Sequence, residues 1–189
     1  MKHPEPATRG SGKIPTHTGL LDRPLDFLVE DHLRECQICA VIDSLATTAT
    51  LDRTHVLCVL RFLNEELNVH LRDEVEDLFP LLVARCLPED AIENAITRVR
   101  VDHDEALRLL PDVRASLSTC LDTGSALSQE ERKVLTRFAG HVRGHLVAEN
   151  AILLPIARVR LTRADLRTLS RHMRSRRGLP ERPETSDAE

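Results

Sequence analysis

The chain has 189 residues and carries 26 Lys+Arg against 30 Asp+Glu, a formal net charge of -4. That length can bury one core without disulfide staples, and the near-balanced charge excludes a chain-wide surface for polyanions. Seven Gly, four Phe, no Trp or Tyr, and no apolar run near the roughly 20 residues of a membrane span argue against sandwich, Rossmann-type and membrane-spanning architectures.

Residues 1–22 mix Pro, Gly, Ser and Thr with scattered charges and read as a disordered tail, as do residues 177–189. Between them, apolar residues recur at helical spacing over about 24–47, 52–87, 89–121 and 129–158. Turn-prone stretches such as Thr47-Thr48-Ala49-Thr50 and Asp122-Thr123-Gly124-Ser125 separate these patterns. Ser128 with Glu131 carries the signature of a capping box for the fourth helix, and Thr162 with Asp165 for a shorter fifth. Short links between long amphipathic helices imply antiparallel neighbours. The expected fold is all-α: an up-down-up-down antiparallel four-helix bundle over 23–158 with a short, basic C-terminal extra helix over 159–176.

The core-facing stripes hold polar groups where apolar ones are expected. In the first helix Leu25, Leu28, Cys36, Cys39 and Ala46 share the side of His32, so His32 is expected to point inward. The second stripe reads Val56, Val59, Leu63, Glu66, His70, Glu74, Leu81, and the third Ile92, Ile96, Val99, His103, Leu107, Leu110. The fourth reads Val134, Phe138, His141, His145, Glu149, Ile152, Ile156. Buried carboxylates and imidazoles are costly without partners, so this recurrence needs a common cause.

Repetition supplies it. His70-x3-Glu74-x5-Pro80 recurs as His145-x3-Glu149-x5-Pro155, with Leu78 matched by Leu153. Asp31-His32 and Asp102-His103 precede those motifs, with 38 residues from His32 to His70 and 42 from His103 to His145. A spacing of four places His and Glu on consecutive turns of one helix face, about 6 Å apart. One such helix can offer an imidazole to one cation and a carboxylate reaching toward the next. Four imidazoles and two carboxylates form a mixed N/O set suited to iron, manganese or zinc. The motif is neither the Glu-x-x-His of ferritin-like bundles nor the H-E-x-x-H of zinc peptidases.

These residues resemble the hemerythrin-like, HHE cation-binding domains. Their H…HxxxE…H…HxxxE signature is carried by His32, His70, Glu74, His103, His145 and Glu149. The following segments, Asp77-Leu78-Phe79-Pro80-Leu81-Leu82 and Ile152-Leu153-Leu154-Pro155, also match. The resemblance covers residues 24–158 and implies a bundle holding two non-haem irons joined by an oxo or hydroxo bridge. It further implies Glu74 and Glu149 as bridging ligands and His32, His70, His103 and His145 as terminal ones. The chain departs from oxygen-carrying hemerythrins, which add a histidine from an H-x3-H pair on the third helix and use an aspartate bridge on the fourth. Here Val99 and Leu107 flank His103 at those spacings, and Glu149 replaces the aspartate.

His141, one turn before His145, is a candidate for the missing ligand or a group beside the site, and Glu66 is its counterpart before His70. Cys36 and Cys39, on the His32 face, are read as redox thiols or as ordinary core packing. Five cysteines, an odd number, with no secretory apolar segment after Met1, suggest free thiols and a cytoplasmic setting. From Arg158 to Arg177 eight arginines face one acid, Asp165. That run could meet an acidic protein partner or the bundle's own acids; no motif accompanies it for nucleic acid. The resemblance implies a protein that binds, senses or reacts with oxygen, peroxide or nitric oxide. Iron storage, delivery or iron-centre repair, and metal- or redox-responsive regulation, stand as alternatives, and no catalytic residue is assigned.

Overall fold

The computed structural model describes residues 14–181, which are helical and contain no strand. Helix α1 is Pro24–Thr47, α2 spans 53–85, α3 is Ile92–Thr123, α4 spans 129–160 and α5 is Arg163–Arg176. Pro24 opens α1, where its missing N–H costs nothing. The Asp52 carboxylate accepts the Thr54 N–H at 2.7 Å to cap α2. Gly124, at φ 70, closes α3 in the left-handed conformation that glycine adopts freely. Both expected capping boxes, Ser128 with Glu131 and Thr162 with Asp165, are formed.

Helices α2 and α4 are not uniform. Phe62–Glu66 and Asp73–Leu78 in α2, and Glu149–Leu153 in α4, are π-helical turns. Such a turn adds a residue and rotates everything after it on the helix face. The inward positions therefore slip by one: Leu67 is buried where Glu66 was expected, Leu82 in place of Leu81, Leu153 in place of Ile152 and Ala157 in place of Ile156. Ile152 is exposed, and so is Leu107 on α3. The Arg114 guanidinium donates to the Leu63 carbonyl in the first of these turns, supplying a partner that regular helix would otherwise provide.

Two apolar clusters fill the interior. One contains Ile38, Ile42, Phe62, Leu117, Phe138 and Val142, and the other Leu28, Leu78, Phe79, Val99, Leu153 and Leu169. Every polar position of the H…HxxxE pattern falls between them. His32 and Glu35 lie between Leu28 and Ile38, His70 and Glu74 between Leu67 and Leu78, and His145 and Glu149 between Val142 and Leu153. The core is thus interrupted by one buried ionisable layer.

The ends are more structured than composition suggests. Of the expected N-terminal tail, residues 1–13 lie outside the described residues, but Thr18–Asp22 forms a 3-10 turn and buries Leu21 completely. Thr16 donates its hydroxyl to Asp31 at 2.5 Å. Of the expected C-terminal tail, 182–189 lie outside the described residues. Helix α5 begins after Leu161, so residues 159–160 belong to α4. It buries Leu169 and Met173, while Arg158, Arg160, Arg174, Arg176 and Arg177 pair with acids of this same chain. Arg163, Arg167 and Arg171 are exposed. No helix among the described residues is long and apolar enough to cross a membrane.

Candidate metal centre

The ionisable layer joins His32, Glu35, His70, Glu74, His103, His145 and Glu149, none more than 3% exposed. Its imidazoles gather as two edge-to-face pairs. His32 and His70 have ring centroids 5.1 Å apart, and His103 and His145 4.5 Å apart. Each pair comes from one sequence half, and the carboxylates lie between the pairs. Glu74 approaches His32 Nε2 at 3.3 Å, His70 Nε2 at 3.5 Å and His103 Nε2 at 3.6 Å. Glu149 approaches His103 Nε2 at 3.2 Å and His32 Nε2 at 3.6 Å.

Sequence reasoning missed Glu35. Its oxygens stand 3.1 Å from His70 Nε2 and 3.7 Å from His145 Nε2, so it spans the two pairs as Glu74 and Glu149 do. It escaped notice because its equivalent in the second half, three residues after His103, is Ala106. The available signal was its place on α1, one turn after His32 and about 60° from the His32 direction.

The outer nitrogens explain why the inner ones converge. His70 Nδ1 donates to Asp31 at 2.9 Å and His32 Nδ1 to the Asn150 side-chain oxygen at 3.0 Å. Each bond leaves Nε2 as a lone pair aimed at carboxylate oxygens. Acceptors facing acceptors require a proton or a cation between them. In the metal-free protein, protons serve. Burial pushes the His32, His70 and His145 pKa values down, but the surrounding carboxylates outweigh it and hold all three above the ordinary imidazole value. Glu149, despite its burial, is lowered to about 2, His103 being its hydrogen-bond partner.

Protons do not complete the layer. Both Glu35 oxygens, His70 Nε2, Glu74 Oε2, both His145 nitrogens and Glu149 Oε2 are buried without a well-directed hydrogen bond. A buried polar atom left so is costly, whereas a cation accepts these lone pairs from just such directions. Among the described residues the donor atoms fall into three groups, each close enough to hold a metal ion: His32, His70, Glu74 and Glu149; His103, His145 and Glu149; and Asp31, Glu35 and His70. The first two share Glu149, and the first and third share His70. Nitrogen and carboxylate donors suit iron, manganese or zinc and disfavour soft, thiolate-seeking ions.

A family model, the hemerythrin HHE cation-binding domain, matches residues 23–157. The chain belongs to the hemerythrin HHE family. No curated protein matches it. The shared pattern binds cations, and the His/Glu groups above are where this member gathers its donors.

The accessory residues fall outside that layer. His141 is 31% exposed and its Nδ1 lies 2.9 Å from Asp102, turned from the expected inward position. Gly144 makes room for that carboxylate, since a Cβ there would stand 2.9 Å from Asp102 Oδ2. The halves diverge here: Asp31 supports the HxxxE histidine of α2, whereas its counterpart Asp102 engages His141 and leaves His145 Nδ1 without a partner. Glu66 is held by Arg34 through two bonds of 3.1 Å. Cys36, expected inward, is exposed, and partial desolvation of its thiol, together with the neighbouring Glu35 carboxylate, raises its pKa. Cys39 is buried and raised still further by burial. Neither thiol has the lowered pKa of a reactive cysteine.

Proposed function

We propose that the chain is an up-down-up-down hemerythrin-type bundle that holds two irons and reacts with peroxide or dioxygen instead of carrying oxygen reversibly. His32, His70, His103 and His145 would be the nitrogen ligands and Glu74 and Glu149 the carboxylates between the irons, with Glu35 adding a third. When bound, the iron pair supplies two reversible one-electron couples.

The observation that carries the reading is the third buried carboxylate, Glu35 on α1, in a chain whose third helix lacks the additional histidine of the oxygen carriers. Glu35, Glu74 and Glu149 offset more positive charge than two carboxylates would, which favours the oxidised metal pair. Asp31 and Asn150 fix the tautomers of His70 and His32, keeping Nε2 of each available as a donor. The apolar clusters on either side exclude water, and the absence of Tyr and Trp leaves no phenol or indole to be oxidised nearby. Complete burial of all seven donors opposes rapid exchange of metal, which weighs against labile iron delivery as the primary role.

The test is to reconstitute the protein with ferrous iron without oxygen, then mix it with peroxide or dioxygen and follow the near-ultraviolet absorption. Oxidation that persists after the gas is removed is the expected result. A band that disappears reversibly on degassing, or a reduced protein indifferent to both oxidants, would contradict the proposal.

A further inference from the structure

The two HxxxE turns differ in what lies outside them. Around the α4 turn, Asn150, whose side-chain oxygen meets His32, and Ala151 and Ile152 are exposed. The Asp73–Leu78 turn of α2, which carries Glu74, is instead covered by α5. Asp73, fully buried and adjacent to Glu74, accepts a hydrogen bond from Arg176 Nη1 on one oxygen and forms an ion pair with Arg177 Nη1 at the other, each at 2.7 Å. Arg176 also bonds Asp77 and reaches Glu76 at 3.0 Å, and His172 Nδ1 lies 2.6 Å from the other Asp77 oxygen. The Arg177 guanidinium sits 4.8 Å above the ring of Phe27 on α1. The π-helical turn departs from the i→i+4 ladder of the helix around it, the Phe79 N–H bonding the Glu74 carbonyl five residues back, so the contacts of its side chains bear directly on where it rests.

We propose that Arg176 and Arg177 are positioning residues: by gripping Asp73 they hold the Asp73–Leu78 turn, and with it Glu74, against the histidines, so that α5 governs how firmly the centre keeps its metal. The inference rests on Glu74 being a metal ligand, but the grip itself is a property of the metal-free chain. It also assigns the end of the arginine-rich run an intramolecular task. The remote anchor of α5, Arg85 bonded to Asp165 at 2.9 and 3.0 Å, lies at its other end and does not touch the Glu74 turn. That separation provides a control for general loosening of the helix.

The experiment uses the full chain loaded with ferrous iron without oxygen and challenged with a ferrous chelator, comparing wild type, Arg176→Ala with Arg177→Ala, Arg177→Ala alone and Arg85→Ala. In the same variants, metal-free, hydrogen exchange is read at the amides of residues 73–78. The double variant is expected to lose iron about 10-fold faster, the low end of the range for a direct partner of a metal ligand because the arginines reach Glu74 only through its neighbour Asp73, and to exchange those amides faster. Arg177→Ala alone should give a smaller change of the same sign and serves if the double variant does not fold. Arg85→Ala should leave both readouts within about 2-fold of wild type, as expected for a contact outside the ligand's shell. Unchanged iron loss and exchange in the arginine variants, or equal acceleration by Arg85→Ala, would overturn the proposal. Should the wild type bind no iron, the metal-centre reading fails, and amide exchange at 73–78 alone decides whether the arginines position the turn.

Discussion

Replacing Glu74 and Glu149 together by glutamine is expected to weaken metal binding by more than about 100-fold, beyond the range for losing an outer hydrogen-bond partner, and to remove both metals at once. Each carboxylate lies within 3.6 Å of histidines from both sequence halves, so neither belongs to a single metal position. Glutamine keeps the volume but removes the charge and one acceptor oxygen. The helices should persist, because the apolar clusters on either side of the layer are untouched. Elemental analysis after reconstitution and gel filtration, with circular dichroism as a check on folding, measures the effect. Retention of two metals by the folded double variant would exclude both residues as bridges. Glu35→Gln alone should be milder on metal content, since Glu74 and Glu149 still join the two pairs, and should instead favour the reduced state.

Removing the metal is expected to make stability pH-dependent in a defined window. His32, His70 and His145 have raised pKa values in the metal-free fold, so their contribution is full below the unfolded imidazole value of about 6.5. It is lost as pH rises through the raised folded values. Glu149 has the opposite sign: its contribution is present above the unfolded carboxyl value and is lost as pH falls toward about 2. Metal-free protein should therefore be most stable between about pH 4.5 and 6.5, the unfolded values of the two groups, and should lose ground on the alkaline side. Metal displaces the imidazole protons, so the loaded protein should lack that alkaline decline. At a free metal concentration about 1,000 times Kd, loading should add about 4 kcal/mol. Urea unfolding at pH 6 and pH 8.5, with and without metal, reads both effects. A metal-free protein as stable at pH 8.5 as at pH 6 would show that the carboxylates do not hold protons on these histidines.

The parts of the centre that were legible in the sequence are those that break a pattern. His70, Glu74, His145 and Glu149 stand out because polar groups recur at helical spacing inside apolar stripes, and the same spacing fixed the lengths of α1 and α3 closely. Glu35 breaks no such pattern. It lies at the margin of its stripe, between Arg34 and Cys36, and comparison of the two halves pairs it with Ala106 and so conceals it. The π-helical turns were equally illegible, since local composition does not signal an inserted residue. Their one-residue slip is why Glu66, Leu81, Ile152 and Ile156 were placed too far inward. The arginine run was visible as charge, but its targets were not: Arg176 and Asp73 are 103 residues apart in sequence and meet only through the fold. His141 followed the stripe correctly in angle, yet Asp102 offered it a partner at the bundle's edge.

The most direct measurement of the central claim is the number of metal ions held by wild-type protein reconstituted with ferrous iron and freed of loosely bound ions. Two irons per chain, with an absorption spectrum that changes on oxidation, is the expected result, because the imidazoles form two pairs with three carboxylates between them. One iron per chain, or none, in a folded protein whose His32, Glu35, His70, Glu74, His103, His145 and Glu149 are all intact would contradict it.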